Sequence, residues 1–122
     1  MADYLPKFKP GQAVTLTAGA TAVVGGRLVE VSTASAVIPA TADSAKVVGV
    51  AGFDAATGES VTVYTRPSGV HRLVASAAIA VGAKVIAAAD GKVATIGAGT
   101  NPVGIALTAA TDDLDVIDVL FI

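Results

Sequence analysis

Lys46–Ala56 reads KVVGVAGFDAA, and Asn101–Ala110 reads NPVGIALTAA. Both write V-G-(V/I)-A and then an Ala-Ala turn, and this recurrence decides how the chain is parsed. Val-rich runs bounded by small residues read as strands. A Gly inside such a run marks a place where another backbone passes closely. In the first half the order is Gly11-x-x-Val14, a Gly25-Gly26 hairpin, Val47–Ala51, an Ala-Ala turn and a V-T-V strand at 61–63. In the second it is Gly82-x-x-Val85, an Asp90-Gly91 hairpin, Pro102–Ala106, an Ala-Ala turn and Asp115–Phe121. The separation shrinks from 71 residues (Gly11 to Gly82) to 55 (Gly49 to Gly104), which places insertions in the first half around residues 32–44. The pattern reads as a weak internal duplication, with chance in a low-complexity composition as the alternative. On the duplication reading, Gly49 and Gly104 are close-packing glycines against backbone from the other half.

Turn dipeptides divide the remainder into short strands. Ala20–Val24, Gly25-Gly26 and Arg27–Val31 read as a hairpin on a two-residue turn, whose central positions need the positive φ that Gly adopts at no steric cost. Val85–Ala89, Asp90-Gly91 and Lys92–Ile96 read the same way. Glu59–Thr65 alternates, with Val61 and Val63 on one face and Thr62 and Tyr64 on the other. Arg66-Pro67-Ser68-Gly69 is a turn with Pro at its second position, and Gly69–Val74 and Leu114–Phe121 are further strands. Ala favours helix, but Gly and β-branched residues break the Ala-rich runs every few positions, leaving room for a short helical turn over Ser76–Val81. The predicted fold is therefore mainly β. It is a small compact barrel- or sandwich-like domain, residues 11–122, built from two pseudo-repeated hairpin halves and preceded by an extended N-terminal arm, residues 1–10.

The 122 residues carry a net charge of −2 without a basic run beyond isolated pairs. That argues against nucleic acid, whose binding needs a clustered basic face. The chain has no cysteine, hence no disulfide and no thiolate metal site. The opening MADYLPKFKPG shows no apolar segment of the kind that directs secretion. The longest apolar run, Leu73–Ala89, contains Gly82 and Lys84, is mostly Ala, and falls short of the ~20 strongly apolar residues a bilayer span needs; no membrane partner is expected. Apolar residues make up 53% of the chain, yet much of this is Ala, with three Phe, two Tyr and no Trp. Ala contributes little at ~25 cal/mol per Å² of buried apolar area, so the layers are thin and lean on a partner surface for part of their stability.

Chemistry is sparse. His71 is the only histidine, and on a strand beside Arg72 it reads as a partly exposed structural residue. No serine lies in G-x-S-x-G. Gly97-Ala98-Gly99 fails G-x-G-x-x-G, and Gly91-Lys92 lacks the spacing of a phosphate loop. Asp112, Asp113, Asp115 and Asp118 form the best candidate cation patch, but they lack the ligand spacing and Gly turn of a calcium loop and read as a solvated turn leading into an outward-facing strand. Val85–Val93 (VIAAADGKV) looks like the A-x-x-D-G-x-V hairpin of biotinyl and lipoyl carrier domains. The nearest analogue of their modified lysine is Lys46, which sits where a strand starts. No catalytic residue, cofactor or metal is expected.

The order of motifs carries a family resemblance over about residues 10–121. It runs from Pro10-Gly11-Gln12-Ala13-Val14 through Gly26–Val31 (GRLVEV), Val48-Gly49-Val50-Ala51, Thr57-Gly58-Glu59 and Val61-Thr62-Val63-Tyr64. It continues through Gly69–Leu73 (GVHRL) and Gly82-Ala83-Lys84-Val85 to Val103–Ala110. Together these resemble the small capsid decoration (cement) proteins of tailed bacteriophages, in particular those of actinobacterial phages. The resemblance implies a β-rich homotrimer at three-fold and quasi-three-fold sites on the outer face of the virion, assembled in the host cytoplasm, which bridges copies of the major capsid protein. Another structural or adhesive module, such as a fibre or surface-layer component, is the alternative, and a carrier domain is a more distant one. On this reading the arm touches the capsid. Pro6 and Pro10 oppose regular pairing, and Tyr4, Leu5 and Phe8 lie among Lys7 and Lys9, apolar anchors beside cations. The expected capsid-contact residues are Tyr4, Leu5, Pro6, Lys7, Phe8 and Lys9.

Overall fold

The computed structural model describes residues 13–66 and 69–122. Strands β1 (Val14–Ala18), β2 (Leu28–Thr33), β3 (Ala36–Pro39), β4 (Val47–Ala51) and β5 (Ser60–Thr65) close into a barrel in the order β1-β3-β2-β4-β5. Strands β6 (Val70–Val74), β7 (Lys84–Ala87), β8 (Val93–Thr95), β9 (Gly104–Ala106) and β10 (Val116–Phe121) form a second sheet in the order β6-β10-β9-β7-β8. Period-two alternation makes these strands. Val61 and Val63 are buried while Tyr64 faces out, and Ile117 and Val119 are buried while Leu120 faces out.

The second sheet repeats the first, strand for strand. β1 pairs antiparallel with β5 and parallel with β3, where Ala18 lies beside Val37. β6 pairs antiparallel with β10, and Ala75, just past its end, makes a parallel bridge to Val93 of β8. Val29, opposite Pro39 and Gly49, recurs as Val85, opposite Thr95 and Gly104. Gly49 opposite Thr65 recurs as Gly104 opposite Phe121. Even the isolated bridge Val23–Ala55 has its copy in Ile79–Ala110. Counterparts stand 55 to 57 residues apart throughout. The duplication is thus real in three dimensions, and it needs no insertion around residues 32–44. The counterpart of Gly82 is Gly26, not Gly11. Each follows the same turn, with Arg27 N donating to Val24 O at 3.3 Å and Ala83 N to Ala80 O at 3.2 Å, and each glycine has a positive φ, 80° and 84°.

Other local expectations are corrected by the same pairings. The Gly25-Gly26 turn exists but joins no hairpin, because Val23 bridges to Ala55 while β2 pairs with β3 and β4. The Asp90-Gly91 hairpin does form, with positive φ at Asp90 (60°) and Gly91 (72°). Its register, Ala87 opposite Val93, shows a loop longer than two residues, the turn being a short 3-10 segment Ala89–Gly91. Ser76–Val81 is not helical; Ile79 is drawn into its bridge instead. The final strand starts at Val116, two residues later than expected. Of the turn at 66–69, Pro67 and Ser68 lie outside the described residues.

The core is as thin as the composition implies, mostly Val and Ala. Members of the first-half cluster, among them Val23, Val29, Val61 and Val63, have buried counterparts in Ile79, Val85, Ile117 and Val119. Leu28, Ala40, Val47 and Val50 belong to the second half's cluster and not to that of their own barrel. An apolar layer therefore joins the halves, and removing those side chains from water is the main force holding them together.

Candidate interaction surface

Outward-facing side chains form rows across each half. In the first, Leu28, Val50 and Tyr64 are register neighbours across β2, β4 and β5. In the second, Lys84, Ile105, Leu120 and Val70 run across β7, β9, β10 and β6. Leu28 and Val50 of the first row are covered by the second half, Leu28 fully buried, whereas Leu120 is 40% and Val70 52% exposed. The largest apolar side chains left in water near the junction are thus Tyr64, Val70, Leu120 and Ile122. Adjacent exposed apolar groups of this kind mark contact surfaces more often than isolated ones do.

Polar contacts tie the halves together beside that row. Asp43 adopts a positive φ of 51°, a conformation that Asp tolerates better than most residues. Its carboxylate accepts from Thr100 N at 3.1 Å and Asn101 N at 3.0 Å, its own N donates to Ala87 O at 2.8 Å, and Asn101 Nδ2 donates to its carbonyl at 3.0 Å. The backbone donors of Thr100 and Asn101, in that order, hold the Asp43 carboxyl below its ordinary value. Arg66 Nη2 donates to Pro102 O at 3.1 Å and to the main-chain oxygen of Ile122 at 3.0 Å. His71 packs between Phe121, with ring centroids 4.9 Å apart, and Tyr64, 6.3 Å away. Its half-burial depresses its pKa. Its ring lies between Tyr64 of the first half and Phe121 of the second, a placement the sequence alone did not reveal. The Asp43 and Arg66 ties were missed as well; a lone Asp in a loop of small residues was the available signal for the first.

Glu30, though buried, is well satisfied. Burial pushes its carboxyl up, but donors on Thr41 and Ser44 and the charge of Lys46 outweigh this, and its pKa ends below the ordinary value. Thr41 N lies 2.6 Å and Thr41 Oγ1 2.8 Å from its Oε1. Lys46 stands 3.8 Å from its other oxygen, at the foot of β4. The acidic segment is spent locally. Asp115 accepts from Thr111 N, Thr111 Oγ1 and Asp112 N, Asp113 pairs with Lys92 at 3.2 Å, and Asp118 lies 4.0 Å from Arg72. Among the described residues no three acidic or histidine side chains converge as a metal site would require. A shallow cleft of about 270 Å³ beside the junction is lined by Ile38, Pro39, Ala40 and Ala89 with Thr41 and Asp90; the Thr41 hydroxyl there is already bonded to Glu30. No helix among the described residues is long and apolar enough to cross a membrane.

What the geometry supplies is a small β body with exposed apolar side chains on its outer face and, among the described residues, no converging acidic or histidine groups. A family model for phage cement proteins matches residues 8–121. The chain belongs to the phage cement protein family. It is accordingly a capsid-associated structural protein. Its fold is similar to that of the head fiber gp8.5 N base in bacteriophage phi29, with a TM-score of 0.72 at 20% identity, over 91% of this chain and 95% of the other. Among proteins of curated function none matches the sequence.

Of the residues singled out by sequence, Tyr4, Leu5, Pro6, Lys7, Phe8 and Lys9 lie outside the described residues. Gly49 and Gly104 occupy equivalent places on β4 and β9. A Cβ on Gly49 would collide with the carbonyl oxygen of Tyr64, and one on Gly104 would meet Leu120 O and stand 2.6 Å from Val119 Cγ1. In each case the close backbone belongs to a neighbouring strand of the same half, not to the other half as expected, because the V-G-(V/I)-A strands pair within their own sheets.

Proposed function

We propose that this protein decorates the outer surface of a mature tailed-phage capsid as a homotrimer at three-fold and quasi-three-fold sites, bridging neighbouring major capsid proteins and stiffening the shell. The observation that carries this reading is the cement-family match over residues 8–121. A thin core, near-neutral charge and exposed apolar faces suit a subunit that gains stability from the surface it binds. In this reading Tyr4, Leu5, Pro6, Lys7, Phe8 and Lys9 form the capsid-contacting arm, with the aromatics filling pockets and the lysines meeting capsid carboxylates.

Co-sedimentation with mature undecorated shells tests it. The full chain is expected to saturate the shells at three copies per site, and a chain lacking residues 2–10 to fold normally but bind far more weakly. Absence of binding by the full chain contradicts the function. Undiminished binding by the shortened chain moves the contact from the arm to the β body. The likeness to a head fibre base favours a second reading, a platform carrying a fibre. Filaments formed by the purified chain without shells would favour that reading over the first.

A further inference from the structure

The strict equivalence of the two halves lets the contact between them be read from both sides. On the first half it uses Leu28, Ala40, Val47 and Val50; on the second, Leu73, Ala87, Val103 and Phe121 are buried in the same cluster. The strand registers give each a counterpart. Those of the first group are Lys84, Ile96, Pro102 and Ile105, and none of them is buried. Those of the second group are Leu16, Val31, Val48 and Thr65, and again none is buried. Leu73 is fully buried where Leu16 is not, and Ala87 is fully buried where Val31 is 37% exposed. Two different faces meet at the junction, so the contact is heterologous, and each chain retains one further copy of each face that the other half does not cover, Leu16 and Val48 resting on the core of their own half with part of their surface left in water. Leu120, 40% exposed, stands where Tyr64 stands when it meets His71.

We propose that a second copy of this chain occupies these faces. The Lys84–Ile105–Leu120 face of one copy receives the Leu16–Val31–Val48 face of the next, so that the contact between chains repeats the contact within each chain. The polar ties are not repeated, since Gly99 stands in the place of Asp43 and Ile122 in that of Arg66. The contact between chains is therefore the weaker of the two, and Lys84 stands in it where the fully buried Leu28 stands in the internal contact. A heterologous contact leaves a free face at each end until a ring closes. The number three rests on the proposed function, and with three chains six halves close one ring of alternating internal and external contacts.

Analytical ultracentrifugation of the full chain and of Leu120→Glu and Val31→Glu, each checked for folding by circular dichroism, tests the interface. The wild type is expected to assemble, and each variant alone to sediment as a monomer. An equal mixture of the variants should form a two-chain complex and nothing larger, because each retains one sound face. Leu114→Glu, in the turn just before the last strand, should assemble as the wild type does. The milder Leu120→Ser and Val31→Ser read the same faces if a Glu variant fails to fold. The proposal is overturned by a wild type that stays monomeric, by variants that assemble unchanged, or by a mixture that forms no complex. Shell co-sedimentation of the wild type separates this from the functional reading. Decoration with unchanged variant assembly overturns the interface alone, and the expected mixing behaviour without decoration overturns the function alone.

Discussion

At Gly49 and Gly104 the backbone of a neighbouring strand occupies the space a side chain would need, and it does so at equivalent positions of the two halves. A glycine chosen merely for flexibility would not show the same neighbour twice. Replacing Gly104 by Val therefore forces β9 away from β10, and should cost about 1–3 kcal/mol by overpacking. Thr95→Ala, at an exposed position, should cost less than ~0.5 kcal/mol. Equal small shifts in the urea midpoint for both variants would contradict the close-packing account. That these glycines matter was legible in the sequence, because a Gly inside a β-branched run gives up packing and backbone order that only a close approach repays. Which strand they face was not, since pairing partners are set by contacts far apart in the chain.

Elements were legible where their own alternation or turn chemistry specified them, as in β5, β10 and the Asp90-Gly91 hairpin. They were misread where a turn signal was taken to imply a strand pair. Gly25-Gly26 dictates a turn, but nothing local says that Val23 will bridge to Ala55. The loop carrying Asp43 illustrates the other gap: its carboxylate caps Thr100 and Asn101, 57 and 58 residues away. A carboxylate held below its ordinary value of 3.8 contributes stability that is whole above that range and is lost as pH falls through the folded value. Asp43→Asn should therefore melt below the wild type at neutral pH, with the gap closing as the pH is lowered past the ordinary Asp range. A gap that stays constant across acid titration would show that the carboxylate charge plays no part in joining the halves.

For the molecule as a whole, the duplication, the β class and the family were all within reach of the sequence, because V-G-(V/I)-A recurs with its Ala-Ala turn. The alignment of the halves was not, since Gly and Val are too common to fix an offset. Only the strand registers show that counterparts keep a separation of 55 to 57 residues. The outward rows and the junction were likewise invisible to periodicity, which says which side of a strand is apolar but not what covers it. A thin, Val- and Ala-rich core joined to unused apolar faces fits a subunit whose stability is completed by assembly. Differential scanning calorimetry of mature shells with and without the added protein tests the proposed decoration and stiffening of the shell most directly. The shell transition is expected to shift to higher temperature and to saturate with bound protein. A saturably decorated shell that melts where the bare shell melts would contradict it.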